Sequence, residues 1–256
     1  MNGNTRNESG KRPSENGSGN ENRFSDGLLA AGAAAALCWS AADMLLVGFV
    51  PAREKYPLLS QTLAADLDGK ADLALLMLDA SPGRLFYGVV FATFSVALYL
   101  AASFGVYRLA GRGRAAAACF VLLFSAYALS PLGHAGFYYL GMSAKTLLHA
   151  APADHALLLE QFAAFYKVLA IHWWASVGSM AAAFLILLVQ TARGRTLLPR
   201  RAAWFNPLPL GVLIAFSCRL FPESALAAAV GGATFNLAQL VFFLSAWCYL
   251  RRKKAV

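Results

Sequence analysis

From Gly27 to Val50 the chain carries one charged side chain, Asp43, in a run otherwise built from alanine, leucine, valine and other small or apolar residues. Further runs without Asp, Glu, Lys or Arg occupy 85–107, 115–144, 168–192, 202–218 and 224–250. An α-helix rises about 1.5 Å per residue, so about 20 such residues cross a hydrocarbon core of about 30 Å. Helices buried in a soluble core rarely run so long without charge. Soluble domains hold about 25% charged residues; this chain holds 14%. A transmembrane barrel needs period-two alternation, which these runs lack. The expected fold is therefore all-α: a polytopic bundle of six transmembrane helices near 27–50, 85–109, 115–141, 161–191, 207–221 and 225–250.

The flanking segments complete the domain organisation. Residues 1–26 are rich in Asn, Gly, Ser and Glu, with opposing charges that cancel. Such a stretch buries too little apolar surface to fold and is expected to be a disordered polar tail. Residues 27–250 form the membrane domain, and 251–256 a short basic tail. Between the first two spans, Leu63, Leu67, Leu73 and Leu75–Leu78 predict one external amphipathic helix at the interface. Asp66, Asp68, Lys70 and Asp72 lie close together there, but Met77 stands where a calcium loop needs its bidentate glutamate. Pro131 lies inside the third run and predicts a kink near 127–131.

The net charge of +9 belongs to helix ends rather than to a nucleic-acid surface. Arg108, Arg112 and Arg114 follow the second span. Arg193, Arg195, Arg200 and Arg201 follow the fourth, and Arg251 to Lys254 follow the sixth. The other connections are neutral or slightly acidic. The positive-inside rule then places both termini in the cytoplasm. Cys38, Cys119, Cys218 and Cys248 form no CxxC pair and no disulfide framework, and read as small apolar residues.

Polar groups inside apolar spans are costly and mark packing or functional sites. Counting residues from the span ends places Asp43, His134, His172 and Arg219 in the outer half of the bilayer, with Asn236 and Gln239 nearer the middle. Asp43 shares a helix face with Ser40, Ala36 and Gly32. His172 shares one with Ser176 and Ser179. Asp43, Ser130, His134, His172, Arg219 and Asn236 are thus the candidate lining of a polar pocket. No catalytic residue or cofactor is assigned, and no metal site.

Three readings follow. In the first, Asp43 is neutralised by Arg219, Lys167 or a histidine in a purely structural or accessory subunit. In the second, it acts with histidine in binding or moving a small solute, proton or lipid. In the third, Asp43, His134 and His172 ligate a metal in a membrane-embedded hydrolase.

Ser130 and His134 with an intramembrane acid resemble part of the pattern of membrane hydrolases related to alkaline ceramidases. The later HxxxH pair of those enzymes is absent, since Ser176 stands four residues after His172. Over about 27–250 the chain resembles an uncharacterised family of bacterial multi-pass membrane proteins, a domain of unknown function. The matching stretches are Trp39-Ser-Ala-Ala-Asp43-Met-Leu-Leu-Val-Gly48, Ser130-Pro-Leu-Gly-His134, Phe205-Asn-Pro207 and Phe235-Asn236-Leu. That resemblance implies the bacterial inner membrane, and the lipid bilayer as the partner, without an activity. Oligomeric state and ligand stay open.

Overall fold

The computed structural model describes residues 16–254, with side chains from Asp26 to Lys253. The described residues are helical throughout their regular structure, without a strand. Helix α1 spans Asn16–Leu46 and so starts inside the expected polar tail. The remainder of that tail, 1–15, and the end of the basic tail, 255–256, lie outside the described residues.

Two short helices, α2 (Ala64–Leu67) and α3 (Ala71–Leu78), stand where one amphipathic helix was expected. The break is at Asp68 and Gly69, both left-handed (φ 47° and 74°). Then follow α4 (Pro82–Ala110), α5 (Arg114–His149) and α6 (His155–Ala192). The chain ends with α7 (Pro207–Arg219), α8 (Ala225–Gly232) and α9 (Thr234–Lys254).

The expected count of six is not reached by helix length and composition alone. Among the described residues, four helices are long and apolar enough to cross a membrane: α1 from Asp26, α4, α5 and α6. A fifth is reached if α8 and α9, bent by 68° at their junction, count as one. The expected fifth span is only the 13-residue α7, about 20 Å long by its rise. Helix α5 runs on through Pro131 as one element of 36 residues.

Starts and stops follow local chemistry. Ser81 Oγ accepts the Arg84 N–H at 3.1 Å and Pro82 opens α4. Asn206 Oδ1 accepts the Leu208 N–H at 3.0 Å ahead of Pro207, and its amide donates to the Phe184 carbonyl of α6 at 3.0 Å. One side chain therefore both starts α7 and fastens it to α6.

The helices meet through small residues, as expected where no hydrophobic drive separates protein from lipid. Ala33, Ala36 and Ala42 of α1 are buried among its neighbours. A Cβ on Gly136 of α5 would sit 2.9 Å from Leu169 Cβ and 3.1 Å from its Cα on α6. Outward faces carry Phe94, Val121, Ile171, Trp174 and Phe216, all exposed. Large apolar side chains outside and small ones between helices are what a lipid solvent selects.

The basic turns gather at one end. Leu197 N–H donates to Leu109 O at 2.9 Å, joining the α6–α7 link to the end of α4. Leu198 and Trp204 line a cavity with Tyr249 near the end of α9. Leu28 of α1 lies against Gly105 of α4.

At the opposite end, α2 and α3 form a cap. Leu59, Leu63, Leu67, Leu75 and Leu78 are buried with Leu140, Leu147, Phe162 and Leu169. Asp79 receives hydrogen bonds from Lys55 and from Tyr56 (2.6 Å), which hold its carboxyl below the ordinary range. Lys145 donates to the Leu78 carbonyl and ties the cap to α5.

Gly136→Val is expected to destabilise the bundle by about 1–3 kcal/mol, because backbone and Cβ atoms of α6 cannot move aside cheaply. Unfolding in mixed micelles measures it. A midpoint equal to that of the unsubstituted protein would show that α5 and α6 do not meet so closely.

Candidate functional site

Asp43 lies three positions before the end of α1, on the same face as Trp39 one turn below. That end is held by Arg84, whose Nη2 donates to the Met44 carbonyl at 3.0 Å and whose guanidinium lies 3.9 Å from the Phe49 ring centre. The Asp43 side chain is only 15% exposed. A carboxylate so placed needs partners, and it has two. Oδ1 is 3.0 Å from His134 Nε2 of α5, and Oδ2 accepts the Asn236 amide of α9 at 2.7 Å.

The network extends from there. Asn236 Oδ1 accepts the Tyr99 hydroxyl of α4 at 2.7 Å. Tyr127 of α5 donates to Gln239 Oε1 at 2.6 Å. The Gln239 amide faces Phe235 O at 3.3 Å and Met180 Sδ at 3.3 Å. The Tyr99 and Tyr127 rings stack at 4.2 Å, and Trp39 stands edge-on to Tyr99 at 5.4 Å and to His134 at 4.5 Å. Four helices are thus joined by buried and part-buried hydrogen bonds, whose loss would leave polar groups unpaired at a cost.

His134 Nδ1 is 3.2 Å from the Ser130 carbonyl of its own helix. The Nε2–Oδ1 contact needs one proton between the two atoms, because two lone pairs would repel.

Beside the pair lies a cavity of about 250 Å³. Trp39, Asp43, Tyr99, Tyr127, Ser130, His134, Ser176 and Asn236 are the residues with polar side-chain atoms in its lining. Phe137, Trp173, Val177, Met180 and Phe235 supply apolar wall, and Leu73 and Leu76 of α3 close the cap side. Gly232 brings the end of α8 against Val47, and Gly231 beside it also lines the cavity.

Of the six residues expected in a polar pocket, the fold brings Asp43, Ser130, His134 and Asn236 to this cavity and leaves two elsewhere. His172 is half-buried, with Nδ1 donating to the Val168 carbonyl at 2.8 Å, and the cavity takes its neighbour Trp173 instead. Arg219 is exposed at the end of α7, and Lys167 is exposed on α6. Asp43 is therefore matched by a histidine and an amide, not by a permanent cation.

The metal arrangement is not assembled: among the described residues no three His, Cys, Asp or Glu side chains converge on one point. Ser130 is not paired with a base either, since its hydroxyl donates to Ala126 O at 2.8 Å. Tyr99 and Tyr127 are site residues that polar-group counting passes over. Their signal was a phenol inside a charge-free span, which needs a partner when buried.

The chain belongs to a family of unknown function, DUF6796, whose profile matches residues 21–253. This agrees with the resemblance to an uncharacterised family carried by the Trp39–Gly48 and Ser130–His134 stretches. No curated protein and no solved structure matches the chain.

Asn236→Leu is expected to cost about 1–3 kcal/mol, by leaving the Tyr99 hydroxyl and one Asp43 oxygen without partners. Adding Tyr99→Phe to it should cost less than the two single changes summed, because both remove the same bond. A strictly additive double-mutant cycle in micelle unfolding would break the assigned network.

Proposed function

We propose that this member of the DUF6796 family is an integral membrane protein that binds a small, largely apolar molecule with a polar head in the cavity beside Asp43. The observation that carries the reading is the joining of one partly open, largely apolar cavity to one largely buried acid whose two oxygens both have hydrogen-bond partners. Such concave apolar sites with few placed polar groups are the usual form of ligand sites. Proton-coupled movement of the same molecule is the second reading. It is favoured by the single proton that the Asp43–His134 contact must hold, and by leucines of the cap closing one side of the cavity.

We place the protein in the bacterial cytoplasmic membrane, with the basic end of the bundle in the cytoplasm and the cavity in the outer half of the bilayer. The gathering of Arg108, Arg112, Arg193, Arg195 and Arg251 at one end supports the orientation. In this arrangement α7 and the bent α8–α9 pair complete a six-segment bundle. A reporter fused to the C-terminus is expected to be active only as a cytoplasmic fusion. A periplasmic signal would reverse the orientation.

The binding reading is tested on protein isolated in nanodiscs without delipidation, with bound molecules extracted and identified by mass spectrometry. Gly133 lines the cavity, and a Cβ there meets nothing nearer than the Trp173 backbone at 3.9 Å. Gly133→Leu should therefore fill the cavity without breaking the fold, and remove at least nine-tenths of the bound molecule. Asp43→Asn should reduce it several-fold. Equal recovery from wild type and Gly133→Leu would rule the cavity out as the site.

A further inference from the structure

We infer that the molecule bound here carries neutral carbonyl-type acceptors at its polar end and an apolar chain behind them, as an acyl-ester lipid or a membrane quinone does. This rests on the cavity being a binding site, and follows from which polar atoms around it are still without partners.

Most are engaged. Asp43 faces His134 and Asn236. Tyr99 and Tyr127 have given their protons to Asn236 and Gln239. Ser130 has given its proton to Ala126 O, and both His134 nitrogens are committed. Two buried groups on the cavity wall remain: Trp39 Nε1 and Ser176 Oγ, in residues only 2% and 4% exposed, have no hydrogen-bond partner. An indole N–H can only donate, and a serine hydroxyl donates readily. A hydrocarbon would leave both unsatisfied, at the usual cost of a buried orphan donor.

Charge narrows the class further. The one acid on the cavity wall, Asp43, is already met by His134 and Asn236, and no Lys or Arg is among the residues lining the cavity. An anionic head would find no cation free to meet it. A cationic head would have to compete with the imidazole and the amide already on Asp43. A neutral acceptor meets Trp39 and Ser176 without disturbing either.

The chain has a place as well. A second cavity of about 240 Å³ shares Val177, Met180 and Phe235 with the first. Its other walls are chiefly apolar: Phe184, Leu208, Val212 and Ala215 between α6 and α7. Val212 is 72% exposed, so this second cavity lies next to the outward apolar surface. A head at Trp39 and Ser176 and a tail between α6, α7 and α9 fill both.

Three probes of equal chain length test this against purified full-length protein, with saturable binding read by native mass spectrometry: a decyl-substituted benzoquinone, monodecanoylglycerol and its ether analogue 1-O-decylglycerol. One or both carbonyl probes should bind at one per chain, at least about fivefold tighter than the ether. Ser176→Ala and Trp39→Phe should each weaken that probe about five- to tenfold, one hydrogen bond's worth, and leave the ether unchanged. Ser176→Ala, the milder change, decides the matter if Trp39→Phe perturbs the fold. Preference for the ester identifies a lipid source, and preference for the quinone the other; either supports the inference. Equal affinity for ether and carbonyl probes, indifference to Ser176→Ala, or binding of none overturns it. If a probe binds Gly133→Leu as tightly as wild type, the cavity reading itself fails. If Gly133→Leu abolishes binding while ether and ester stay equal, only the acceptor assignment fails.

Discussion

A buried carboxylate cannot stand alone in an apolar medium, and the architecture around Asp43 answers that constraint. Its two oxygens are met from different helices, by His134 at 3.0 Å and Asn236 at 2.7 Å. Neither partner is free to turn. Asn236 is oriented by Tyr99, and His134 by the Ser130 carbonyl and the edge of Trp39. The network therefore fixes the mutual position of α1, α4, α5 and α9 more specifically than packing of alanines and leucines would. Replacing such a network by apolar side chains is often tolerated energetically; what goes with it is the placed polarity beside a cavity.

The rest of the fold keeps that arrangement in place. Arg84 closes the end of α1 just past Asp43. Asn206 pins the start of α7 to α6. The cap leucines pack on the ends of α5 and α6 and supply one wall of the cavity through Leu73 and Leu76. Helices of 36 and 38 residues, about 54–57 Å long, exceed a hydrocarbon core of about 30 Å. The excess length of α5 and α6 is what the cap binds.

Much of this was legible in the sequence, because membrane helices must be apolar and their exceptions stand out. Helical class, the basic end and the importance of Asp43, His134 and Asn236 are readable by composition and spacing alone. Depth was less readable. Counting from residue 225 puts Asn236 near mid-membrane, whereas the 68° bend between α8 and α9 makes it the third residue of a new helix at the level of Asp43. His172 illustrates a different gap. It shares a face with Ser176 by spacing, yet the cavity takes Trp173 and Ser176 and leaves the imidazole bonded to its own helix. Helix rotation of this kind depends on neighbours, which periodicity does not specify. Tyr99 and Tyr127 look like ordinary aromatic residues until their hydroxyls are seen to find amides.

The Asp43–His134 contact also determines how the site answers to an electric field. Moving an elementary charge across the whole bilayer at 100 mV involves about 2.3 kcal/mol. A proton passing between Nε2 and Oδ1 travels less than the 3.0 Å that separates them, so a voltage of that size does on the order of a tenth of that work, or less. The pair can exchange its proton while remaining almost blind to the membrane potential. Voltage sensitivity, if this protein has any, must enter through whatever carries a proton to or from the cavity.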